Sequence, residues 1–228
     1  MKLKKIAALA LAGVMAVSML AGCAGKGTDD KKDPTTGTNA AYTQVLVDAL
    51  KANETVKAKK NLTVTAGTGL QTTLDAAAKV PGMNIYGIQS YMTAVDSSLK
   101  TDLLPGVQGT NTSAVYKDDS SVLSVFGITS VSDSGVLQES VAIKSLVDKI
   151  LAAQVSKEST ATISGLSDHS SDYTDTVNKE QKKFHFTYAY TLEVSVAPIK
   201  AADGKTTYVC AYELTRTPTR VEGEYKAA

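Results

Sequence analysis

Polar and apolar residues alternate without a break through "KFHFTYAYTLEVSVA", residues 183–197. Phe184, Phe186, Tyr188, Tyr190, Leu192, Val194 and Val196 fall on one side of an extended chain, and Lys183, His185, Thr187, Thr191, Glu193 and Ser195 on the other. A period of two predicts a strand with one face covered. "AADGK", with Asp203-Gly204, predicts a tight turn, and the return strand sets Tyr208, Cys210, Tyr212 and Leu214 together. Cys210 then reads as a small apolar filler on the covered face, since a nucleophile would need an activating base beside it.

A helical period governs the rest. Tyr42, Val45, Leu46, Ala49 and Leu50 stand on one helix face, with Asn53 and "KAKK" expected to end it. "NLTVTAG" alternates as a short strand. Leu70, Leu74, Ala77 and Ala78 start a second helix, stopped by Pro81-Gly82. Ile85, Ile88, Met92, Val95 and Leu99 predict a third, ending near Pro105-Gly106. "SAVYK" and "SVLSVFGITSV" read as strands. Ile143, Val147, Ile150 and Leu151 mark a fourth helix over roughly 136–154, and "STATISG" suggests a further strand. The sum is an α+β domain with a mainly antiparallel sheet covered by helices. An α/β/α sandwich is one arrangement that satisfies it.

The N-terminus departs from this pattern. Lys2, Lys4 and Lys5 precede an apolar run from Ile6 to Leu20. About 15 residues is short for a bilayer span, which takes about 20. A charged start, a short apolar core and small residues before a cut form an export signal. The run ends in Leu20-Ala21-Gly22-Cys23. This stretch resembles the lipobox of bacterial lipoproteins. The resemblance implies that the Cys23 thiol takes a diacylglycerol, that the chain is cut before it, and that Cys23 becomes the new N-terminus. Each buried CH₂ of an acyl chain adds about 0.8 kcal/mol, so two or three chains anchor firmly where one does not. Residues 24–40, "AGKGTDDKKDPTTGTNA", are polar and aperiodic and read as a flexible tether.

The expected organisation is a signal peptide at 1–22, lipidated Cys23 with its tether at 23–40, one domain at 41–220 and a C-terminal tail at 221–228. Removing residues 1–22 takes away three lysines and no acid, which moves the formal net charge from +1 to −2. With Arg216 and Arg220 as the only guanidinium groups, nothing points to nucleic acid. Cys210 is the only other thiol, so the mature chain cannot close an internal disulfide. The absence of Trp tells against a sugar-stacking platform.

The segment "VLVDALKANETVKAKKNLTVTAGTGLQTTLDAAAK" resembles the opening of the CAP superfamily, also called SCP-like, in its helix, short strand and second helix. Leu46-Val47-Asp48, Leu62-Thr63-Val64, and Leu70-Gln71 with Ala76 to Ala78 stand at the matching places. "LEVSVAPIKAADGKTTYVCAYEL" is similar to that family's closing hairpin. Many such domains hold two His and two acids in a cleft able to bind a metal. This chain has only His169 and His185, none lies between Pro81 and Ser167, and "GITSVSDSG" stands where the family's "GEN" acid belongs. The resemblance therefore implies the fold with degenerate cleft chemistry, and no family activity carries over.

Candidate chemistry is sparse. Asp168, His169, Asp172 and Asp175 in "LSDHSSDYTD" form the densest polar cluster and offer ligands for a divalent ion. Their spacing matches no dedicated loop, and an exposed Ser/Asp-rich loop explains them equally. "GTG" at 67–69 lies between strand and helix but lacks the third glycine of a dinucleotide fingerprint. His185 is expected on the polar strand face, half-exposed. No catalytic residue and no cofactor is implied, and a non-catalytic domain is favoured over an enzyme. The expected partners are the membrane, through Cys23, and an unidentified envelope ligand or protein at the extracytoplasmic face of the cell membrane. An envelope hydrolase with a loop-built site and a carrier of an apolar ligand are the alternatives.

Overall fold

A long hairpin organises the molecule. Strand β4 (Glu180–Lys200) runs for 21 residues and pairs with β5 (Thr206–Glu222), in one register from Phe184↔Glu222 to Lys200↔Thr206. The computed structural model describes residues 39–105, 120–132, 139–157, 162–200 and 205–226, and residues 36–228 form one compact unit. Cys23, the signal segment, the tether as far as residue 38, "SAVYK" and the turn at 201–204 lie outside the described residues, and Asn39 and Ala40, expected to end the tether, begin the first helix.

In chain order the elements are helices α1 (Asn39–Ala52) and α2 (Glu54–Ala58), strand β1 (Leu62–Ala66), helices α3 (Thr68–Ala78) and α4 (Ile85–Val95), and strand β2 (Leu123–Ser132). Helix α5 (Glu139–Leu151), a 3₁₀ turn (Ile163–Gly165) and strand β3 (Tyr173–Val177) precede the hairpin. The sheet order is β1-β4-β5-β2, with β3 also on β4. Only β1 runs parallel to its neighbour, so the sheet is mainly antiparallel and the fold is α+β.

Alternation along the hairpin sorts two cores. Phe186 through Val196 at even positions of β4 and Tyr208, Cys210, Tyr212 and Leu214 of β5 join Leu46, Leu50, Leu146 and Ile150 of α1 and α5. On the other face Ala197, Val209, Ala211 and Phe126 join Leu70, Leu74, Ile88 and Met92 of α3 and α4. Helices thus cover both faces, giving three layers. All seven residues of the apolar row, Phe184 to Val196, are buried as the alternation predicts.

The outer edge of β4 is satisfied along its length by unlike partners. β3 pairs with residues 180–184. Ser170 N–H donates to Phe186 O, and Tyr188 N–H to Asp168 O. Tyr190 N–H donates to Asn61 O, β1 follows, and Val196 N–H donates to the Thr43 hydroxyl. A buried strand edge must spend its backbone groups in this way. Even-numbered residues of β4 therefore point their amide groups outward. Pro198, with no N–H to offer, faces the same edge beyond the end of β1 at Ala66↔Val194. Pro218 likewise lies beyond the end of β2, whose pairing with β5 begins at Leu123↔Arg216.

Several expectations needed correction. "KAKK" does not end α1. The Asn53 side chain accepts from Thr55 N–H and caps α2, which contains Lys57. The third helix stops at Val95, and Leu99 is buried in the turn that follows. In the described part of "STATISG", Thr162 makes a single antiparallel bridge with Gln154, and Ile163–Gly165 form a 3₁₀ turn whose Ile163 is buried. β3 arises within a segment read as loop, because "YTDTV" is too polar to stand out. Residues 221–226 are not a free tail: Val221 and Glu222 complete β5, and Gly223 N–H donates to Lys183 O.

Candidate functional site

The acidic loop is tied to the chain's own groups. His169 Nδ1 donates to Asp168 Oδ1 at 2.6 Å, and this bond holds the Asp168 carboxyl below the usual carboxylate range. The His169 ring stacks on Tyr225 at 3.4 Å between centroids. Asp172 accepts from Tyr225 N–H at 2.9 Å, and Asp175 pairs with Arg220 at 2.6 Å. Among the described residues no three His, Cys, Asp or Glu side chains group as metal ligands. The four candidates therefore divide: Asp168, His169 and Asp172 gather around the C-terminal segment, while Asp175 faces Arg220.

His185 differs from expectation. It is buried rather than half-exposed, because residues 223–226 fold over it. Its Nδ1 donates to Gly223 O at 3.0 Å, Asp172 lies 4.0 Å away, and Tyr225 meets the ring edge-on. Both histidines of the chain thus hold Tyr225 between them. Cys210 is fully buried, and burial pushes its thiol up to about 12, which keeps it protonated. "GTG" is a strand-to-helix turn. Gly67 N–H donates to Val194 O and its carbonyl accepts from Ser195. A Cβ there would press on Leu70 and Glu193, so α3 approaches β4 closely at this glycine.

The two arginines, unassigned by the sequence reading, cover the aromatic row. Arg216, 1% exposed, lies over Tyr188 at 4.8 Å, and Arg220 lies over Phe184 at 3.7 Å. Tyr173 of β3 stacks beside Phe184 and Phe186.

The exposed chemistry lies on the opposite, odd-numbered face, where α3 and α4 stop short. The register sets Thr63, Thr191, Thr215 and Ser124 side by side across β1, β4, β5 and β2. Farther from the helices Ala189 pairs with Thr217 and Thr187 with Thr219. All of these are partly or fully exposed. Toward the helices the next row is Thr65, Glu193, Glu213 and Phe126. Burial raises the Glu193 carboxyl above its ordinary range, and Glu213 directly opposite adds to this.

This strip presents hydroxyls at strand spacing, about 4.8 Å apart across the sheet. Threonine side chains are stiff at χ1, so little freedom is lost when they bind. Each hydroxyl both donates and accepts. The sequence carried a signal for it: the alternation continues past Leu214 through Thr215, Thr217 and Thr219. Arg216 and Pro218 obscured it by looking like the end of a strand.

No protein-family model, no curated protein and no solved structure matches this chain.

Proposed function

We propose that the chain is a membrane-anchored bacterial surface lipoprotein, held by acyl chains on Cys23 at the extracytoplasmic face, whose α+β domain binds an envelope ligand or protein without chemistry of its own. The observation that carries the binding role is the hydroxyl strip from Thr63 to Ser124, extended by Thr187, Thr217 and Thr219. A fixed, shallow, uncharged polar surface suits recognition. The lipobox resemblance at Leu20 to Cys23 supports the anchor, and the polar segment 24–40 gives the domain reach. Helices on both sides of the sheet are compatible with a degenerate CAP-like domain.

The alternatives find less support. The aromatic row of β4, the surface on which an apolar carrier would hold its ligand, is filled by packing. For an envelope enzyme the usual groups are engaged: the thiol is buried and protonated, and both histidines are bound up with Tyr225.

The test is sedimentation of the unlipidated chain from residue 23 with isolated envelopes. The wild type should co-sediment, and Thr217→Arg, a change at an exposed position, should weaken the affinity about tenfold, a loss of about 1.4 kcal/mol. Equal binding by both would remove the strip from the account.

A further inference from the structure

A cleft that meets the strip at Ser124 has a fixed frame of its own. The extended segment 100–105 is tied on both sides. Phe126 N–H donates to Lys100 O, Leu104 N–H donates to Val155 O at 3.0 Å, and Lys157 N–H donates to Leu104 O at 2.9 Å. Buried Arg216 donates from Nη1 to Pro105 O at 3.2 Å. Between this segment, the start of β2 and Lys157 lies an open cleft of about 560 Å³, within the range of about 300–1,000 Å³ common to small-molecule sites.

Its lining has two characters. Leu103, Pro105, Val122 and Leu123 give an apolar wall, and Val122 remains 64% exposed in it. Lys100 and Lys157 line it too, opposed among the described lining residues by Asp102 alone. Lys100 Nζ donates to Ser97 O at 2.7 Å, which leaves the ammonium further donors. Among the described residues nothing buries Val122, and an apolar wall open to water gains by being covered. Two ammonium groups beside it select the charge of whatever covers it.

We propose that this cleft binds an anionic amphiphile. The hydrocarbon chain lies on Val122, Leu123 and Leu103, and the carboxylate or phosphate head sits between Lys100 and Lys157. Asp102 opposes the head and sets a limit on affinity. The assignment does not depend on the anchor at Cys23, and although Ser124 both ends the strip and lines the cleft, neither test alters it, so the two proposals fail separately.

The test uses the unlipidated chain from residue 23, which contains the whole compact unit 36–228. Calorimetric titration with dodecyl phosphate below its micelle concentration is compared with dodecyl maltoside, which has the same chain and a neutral head. Dodecyl phosphate should bind at least about tenfold more tightly, a difference of about 1.4 kcal/mol. Lys157→Glu and Val122→Asp, both at exposed positions, should each weaken it by a similar factor, and Asp102→Asn should tighten it. Equal binding of the two heads, indifference to Lys157→Glu and Val122→Asp together, or no heat with dodecyl phosphate at millimolar concentration would each overturn the assignment. So would binding to anionic phospholipid vesicles without binding of the free amphiphile, since that outcome reports surface charge alone.

Discussion

Toward its C-terminal end β4 lies between helices: Leu192, Val194 and Val196 meet α1 and α5, and Ala197 meets the layer of α3 and α4. Toward its N-terminal end the even face is covered instead by Arg216, Arg220 and Tyr173 lying over Tyr188, Phe184 and Phe186, and the odd face carries exposed threonines. The same two strands in the same register thus serve two purposes. Burial of apolar area, at about 25 cal/mol per Å², secures the first half. Cation–π contacts of about 0.5–2 kcal/mol and exposed ion pairs worth less cover the second. The second half buries Phe184, Phe186 and Tyr188 on its even face as well, and differs in leaving its odd face open to present polar side chains.

The two halves should respond unequally to truncation. Leu192, fully buried, is the larger case, and Leu192→Ala should cost about 2–5 kcal/mol through lost transfer and the cavity left behind. Arg220→Ala removes an aromatic contact and a half-exposed pair with Asp175 and should cost about 1 kcal/mol. Urea unfolding of both variants checks this, and comparable losses would break the division.

A finer probe lies on the boundary row. Burial and Glu213 raise the Glu193 carboxyl, so the folded state holds that proton more tightly than the unfolded chain does. A raised carboxyl contributes stability that is present at low pH and lost as pH rises through the folded value. Glu193→Gln should therefore raise the unfolding midpoint slightly at neutral pH and leave it nearly unchanged below the ordinary glutamate range. A variant less stable than wild type at neutral pH would show that the charge is useful where it stands.

How much of this was readable in advance follows from the same physics. Burial on one face imposes a period of two, so the row Phe184 to Val196 was legible residue by residue. α1, α3, α4 and α5 were legible because each buries one stripe. β3 was not, since Tyr173–Val177 earns its place through backbone pairing with β4 rather than through apolar side chains. Nor was the burial of His185, which depends on Tyr225 arriving from 40 residues farther along the chain. The acidic loop shows the same limit: its residues stand close in sequence, but they divide in the fold because their partners come from the C-terminal segment and Arg220. A pattern along one strand predicts which face is covered, not what covers it.

The mass of the N-terminal peptide of the mature chain, isolated from cells grown with labelled fatty acid, tests the central claim most directly. The account predicts a peptide beginning at Cys23 and carrying label, both lost in Cys23→Ala. An unlabelled peptide beginning at another residue would contradict it.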